Sequence, residues 1–198
     1  MKKFGFLILA LVLSSMVRTS ISIAEPLLEG SGLVYGEGYA FNLKAPKGWV
    51  LDTESGLDQG LHAVFYPKGG SWTDSTVIAY ARSRPKVAPV MTPEDAAQDT
   101  IRQFHSKGNP NYKGSKLKTI KTDGGQDVVI YQFSGDQWGN SEAVAYFVED
   151  KQINFIVLSS RDAKAYEQAM PAFEDLAKSY KAMPITVKGP KYPLPPAK

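Results

Sequence analysis

Residues 116–159 read KLKTIKTDGGQDVVIYQFSGDQWGNSEAVAYFVEDKQINFIVLS, and this stretch decides the fold. Four runs rich in β-branched and aromatic residues, at 116–121, 127–134, 141–148 and 153–159, are separated by turn formers. Thr122-Asp123-Gly124-Gly125-Gln126 is a hairpin signal, and Glu149-Asp150-Lys151-Gln152 is an equally short link. Links this short join antiparallel neighbours, because a parallel pair needs a crossover of about a dozen residues or more. The stretch therefore predicts a four-strand meander.

Towards the N-terminus more strands are expected. Tyr39, Phe41, Leu43 and Ala45 alternate with Ala40, Asn42 and Lys44, the period of a strand with one buried face. Pro46-Lys47-Gly48 breaks that run, and Trp49-Val50-Leu51 resumes it. Residues 61–66 and 76–81 are apolar on nearly both faces, as in central strands covered on two sides. Two helices are predicted as the cover. The first begins at Thr92, with Pro93 in the first helical position and Asp95 at capping-box spacing. Ala97, Ile101 and Phe104 share one face of it, and Gly108-Asn109-Pro110 ends it. The second spans 163–183, with Tyr166, Met170, Phe173, Ala177 and Tyr180 as its apolar stripe. Pro171 is expected to kink or restart that helix. The fold class is α+β: a central antiparallel sheet of about six to seven strands covered by helices.

The domain spans 39–183, after a Gly-rich extended lead-in at 25–38 and before a tail at 184–198 that carries five prolines. Residues 1–24 read as a secretion signal: Met1-Lys2-Lys3, an apolar run at 4–13, then small residues with Ser22 and Ala24 placed for cleavage before Glu25. The apolar run is short for a span of about 30 Å of hydrocarbon, so removal is expected rather than retention as an anchor. The expected location is periplasmic or secreted, with no transmembrane anchor after cleavage.

Charge and composition narrow the function. The chain has 23 Lys and Arg against 20 Asp and Glu. Lys2, Lys3 and Arg18 belong to the leader, so the remainder carries 20 of each sign and no net charge. Nothing in that balance asks for a polyanion, and nucleic acid is not expected as a partner. With no cysteine, thiol redox chemistry and cysteine metal sites are excluded.

Motifs for chemistry are sparse. There is no phosphate-binding P-loop, zinc-protease helix or calcium loop. Gly30-Ser31-Gly32 lacks the third glycine and the preceding strand of a dinucleotide fingerprint. Gly69-Gly70-Ser71-Trp72-Thr73 falls one glycine short of a nucleophile elbow and leads into a strand, not a helix. His62 is expected within a strand as a core or rim residue, and His105 closes the first helix, where a cation suits the helix dipole. Neither the sequence nor its patterns call for a cofactor or a metal. Trp72 and Trp138 lie in polar loops, at 68–74 and 135–140. Each is a candidate recognition residue, or else folds back over a sheet edge. Trp49 is expected in the core.

The run Tyr39-Ala-Phe-Asn-Leu-Lys-Ala-Pro-Lys-Gly-Trp49 resembles the opening of PsbP-like domains. The aromatic strand at 143–148, the hairpin, the apolar strand at 153–158 and the helix holding 173–183 are similar to the family's closing order. The resemblance covers about 38–183. It implies an α/β/α sandwich around an antiparallel sheet, and a binding or assembly role rather than catalysis. Two features depart from the family: no matching metal-ligand set is present, and a bacterial-style export signal stands in place of a plastid transit peptide. No site residue is carried over. The expected function is a non-catalytic binding or accessory protein of the cell envelope. Its expected partner is another protein or an envelope component, met through Trp72, Trp138 or His62. The rivals are a small hydrolase with a site near His62 and a carrier of an apolar small molecule.

Overall fold

The meander forms the middle and one edge of a larger sheet. A computed structural model describes residues 30–184. In chain order its strands are β1 (Ser31–Gly36), β2 (Tyr39–Lys44), β3 (Trp49–Asp52), β4 (Val64–Pro67) and β5 (Val77–Pro85). After helix α1 (Pro93–Ser106) come β6 (Lys113–Lys121), β7 (Asp127–Ser134), β8 (Ser141–Val148) and β9 (Gln152–Ser160). Helix α2 (Ala163–Lys178) and a short β10 (Lys181–Ala182) follow. Seven strands lie in the order β3-β4-β5-β9-β8-β7-β6, every neighbour antiparallel. A second sheet, β1-β2-β10, adds three more.

β8 shows why the sheet needs cover on both sides. Ala143, Ala145 and Phe147 enter one core with Phe173, Leu176 and Ala177 of α2 and Phe41 and Leu43 of β2. Val144 and Tyr146, one step along, enter the other core with Ala96 and Ala97 of α1. Period-two alternation thus feeds two layers from one strand. β4 is central in neither sense of position: it lies one strand from the edge. Both of its faces are nonetheless covered, Phe65 by the α2-side core and Val64 by Leu61 and Trp72.

The helix signals act as read, with two differences. At α1, Asp95 N–H donates to Thr92 Oγ1 at 3.1 Å while Asp95 Oδ2 accepts from Thr92 N–H at 3.0 Å, which closes the capping box. In α2 the helix does not restart at Pro171 but runs through it from 163 to 178. Proline leaves the carbonyl four residues back without its donor. Here that residue is Glu167, exposed like Pro171 itself, so water can serve the carbonyl. The second difference is the end: α2 stops at Lys178, not 183. Pro184 disfavours helical backbone at Met183. The chain turns at Ser179, and Lys181–Ala182 pairs with Asn42 and Phe41 of β2. Tyr180 still completes the stripe, stacked on Phe147 at 3.9 Å.

The lead-in is itself paired: Ser31–Gly36 runs antiparallel to Tyr39–Lys44. The leader at 1–24, the first residues after it and the tail from 185 lie outside the described residues. Among the described residues no helix is long and apolar enough to cross a membrane.

Candidate functional site

The loop between β7 and β8 is built to hold one side chain outward. Gly135 opens it at φ +91°, and a Cβ there would collide with the Asn111 carbonyl oxygen, so only glycine fits. Asp136 Oδ1 accepts the backbone N–H of Trp138 at 3.2 Å and of Asn140 at 2.8 Å, and its Oδ2 accepts from Asn140 Nδ2 at 2.6 Å. Asn109, buried past the end of α1, takes the Gln137 N–H on its Oδ1 at 2.8 Å. None of these bonds uses the indole. Trp138 is left 52% exposed on a loop whose backbone is fixed from two sides.

Trp72 takes the other course. Ser71 Oγ donates to Asp74 Oδ2 at 2.7 Å and tightens the turn that carries it. The indole folds back over the sheet with Leu61 and Val64 and meets Tyr80 edge-on, ring centres 6.2 Å apart. At 8% exposure it is a packing residue, and its burial follows from the open apolar surface of Ile78 and Tyr80 beside the turn. Its rim still matters, because Trp72 forms one wall of an open groove of about 640 Å³. Ile78 and Ser159 line this groove, Arg161 and Asp162 stand on its rim, and Asn140 contributes from the Trp138 loop. The two tryptophan loops therefore border one surface, which their distance in sequence does not reveal.

A carboxyl lies next to this groove that the sequence reading missed. Glu142 of β8 is the cross-strand partner of Ser159. It accepts from Tyr112 Oη at 2.8 Å and from the Ser159 hydroxyl. Burial holds its carboxyl above the usual glutamate range and Asp136 adds to that, while the two hydrogen bonds oppose it. Tyr80, nearby, is pushed up to about 12 by burial and then by the charge of Glu142. One signal was available: Glu142 is the only charged residue among eight in Ser141–Val148.

His62 stands apart. It precedes β4 rather than lying in it, and it is exposed between buried Leu61 and Ala63. It lines a separate open cleft of about 300 Å³ with Gln59, Arg82 and Ser83. No carboxylate lines that cleft among the described residues. His105 donates from Nε2 to the Tyr112 carbonyl at 2.7 Å. Trp49 is half-buried against the α2-side core. Among the described residues no three His, Asp or Glu side chains are grouped to hold a metal ion.

No protein-family model and no curated protein matches this chain. Solved structures do. The PsbP protein of the cyanobacterium Synechocystis (CyanoP) is 15% identical, with 82% of this chain and 98% of that one covered at a TM-score of 0.46. LpqN of Mycobacterium tuberculosis, described as involved in cell envelope biogenesis, is 15% identical, with 78% and 91% covered at a TM-score of 0.50. A point mutant of the protein Mog1 is 9% identical, with 76% and 95% covered at a TM-score of 0.43. The likeness to LpqN is one of fold alone, and at 15% identity no residue role passes from LpqN to this chain.

Proposed function

We propose that this chain is an exported, non-catalytic accessory protein of the cell envelope, and that it engages its partner through Trp138 and the groove between the two tryptophan loops. The observation that carries this reading is the exposure of Trp138, 52%, on a loop held by Asp136 and Asn109. An indole offers a large contact area with few torsions to freeze, and a pre-fixed loop lowers the ordering cost of binding. The groove supplies the complementary polar rim through Asn140, Arg161 and Asp162. The leader pattern supports an extracytoplasmic location, periplasmic or secreted. So does the fold shared with LpqN, itself described as a protein of envelope biogenesis. The partner class is another protein or an envelope component.

The test is quantitative capture from envelope extract by the chain lacking residues 1–24, against the same chain with Trp138→Ala. A true anchor is worth about 2 kcal/mol or more, or about thirtyfold in affinity. The variant should lose its partner while keeping its melting temperature. Equal capture by both proteins would overturn the reading.

A further inference from the structure

On the opposite side of the molecule from α1, a cleft of about 540 Å³ lies between the start of β2, the β8–β9 turn and β10. Asn154 of β9 lines it, 1% exposed, and its Oδ1 accepts no hydrogen bond. A buried acceptor without a donor is costly, and native structures rarely leave one. The neighbours decide which end of this amide is unmet. Tyr180 Oη lies 2.9 Å from Glu149 Oε1 and 2.8 Å from Asn154 Nδ2. A carboxylate only accepts, so the single hydroxyl proton of Tyr180 goes to Glu149. The hydroxyl must then accept from Asn154, which turns the amide nitrogen towards Tyr180 and leaves Oδ1 without a donor. Gln126 Nε2 fixes the far end, donating to Glu149 Oε1 at 3.1 Å and to the Val148 carbonyl at 3.2 Å.

Every group in this relay is thus oriented, and it ends on an unmet acceptor buried in a residue that lines the cleft. The rim carries Glu149 and Asp150 against Lys151, one net negative charge, and the Tyr39 ring forms a wall. An acceptor, an excess of carboxylate and an aromatic face together suit a cation that can donate hydrogen bonds. We propose that this cleft binds a protonated primary amine on an aliphatic stem, presented as a lysine side chain by a polypeptide or carried by a free alkylamine. This site is separate from the Trp138 surface, with which it shares no lining residue.

The test uses the chain lacking residues 1–24 and follows the Asn154 side-chain amide by ¹⁵N NMR. The probes are Nα-acetyl-lysine amide and n-butylammonium, with Nα-acetyl-norleucine amide as the uncharged control. Both ammonium probes are expected to shift the Asn154 signals saturably, with a Kd on the order of 1 mM, and the control to leave them in place. A shift by the lysine amide alone also supports the site and identifies a polypeptide as the source. Glu149→Gln keeps the shape and an acceptor, and should weaken binding at least about fivefold. Asn154→Leu removes the acceptor and should weaken it about tenfold or more, with distant signals unmoved in both variants. Trp138→Ala should bind the probes as the unaltered chain does, so this site and the recognition surface can fail separately. The proposal is overturned if neither amine moves the Asn154 signals, which leaves the oxygen to a trapped water. Equal binding of the norleucine control, or unaltered binding by Glu149→Gln, overturns it as well.

Discussion

Replacing each loop tryptophan by alanine should separate two residues that look alike in sequence. Trp72 is 8% exposed, packed on Leu61, Val64 and the edge of Tyr80. A tryptophan buries about 150–250 Å² on folding, which at about 25 cal/mol per Å² corresponds to roughly 4–6 kcal/mol. Relaxation around the cavity and the remaining alanine bring the expected loss to about 3–5 kcal/mol. For a domain of this size each kcal/mol moves the melting temperature by about 2–4 °C, so Trp72→Ala should melt about 6–20 °C lower. Trp138 is 52% exposed, and its loop is held by Asp136 and Asn109 through backbone groups. Trp138→Ala should cost about 0.5 kcal/mol, a shift of no more than about 2 °C. Thermal melts by circular dichroism measure both. Acrylamide quenching gives an independent check, because removing Trp138 should delete the most quenchable part of the emission while removing Trp72 should not. If Trp138→Ala melts as low as Trp72→Ala, the indole packs on the fold and the recognition argument fails. If Trp72→Ala melts at the wild-type temperature, the burial argument fails instead.

Four further outcomes are expected. Phe173→Ala should lower stability by about 3–5 kcal/mol in urea titrations, since this side chain is buried between α2 and the sheet; a loss under about 1 kcal/mol would place the stripe elsewhere. Gly135→Ala must adopt φ +91° against the Asn111 carbonyl, and should both destabilise the chain by more than about 1 kcal/mol and reduce capture through Trp138, measured on the same protein. The raised carboxyl of Glu142 binds its proton more tightly folded than unfolded, so its contribution to stability falls as pH rises from the ordinary glutamate value of 4.5. Glu142→Gln should remove that fall, seen as a flatter plot of unfolding free energy above pH 4.5, and an unchanged slope would contradict the assignment. Intact mass of protein recovered from its native compartment should correspond to a chain starting at Glu25, and recovery of Met1-containing protein from membranes would count against removal of the leader.

The sequence by itself determined the local elements, because their causes are local. Period-two runs separated by Asp123-Gly124-Gly125 and Glu149-Asp150-Lys151 can close only as antiparallel hairpins, and Thr92 with Asp95 caps α1 whatever surrounds it. The α2 stripe was legible for the same reason, since a helix repeats every 3.6 residues and Phe173 and Ala177 fall on one face. Where the helix ends was not legible, because the pairing of Lys181–Ala182 with β2 competes there with helical continuation. The fates of the aromatics belong to the tertiary structure. Trp72 and Trp138 sit in loops of similar polarity, yet one turn lies over the bare apolar surface of Ile78 and Tyr80, while the other is held clear by Asp136 and Asn109. Glu142 meeting Tyr112, and Tyr180 meeting both Asn154 and Glu149, join residues up to 31 positions apart. Such meetings depend on which strand lies beside which and on which face each side chain takes, and both are set only when the sheet closes between its helices.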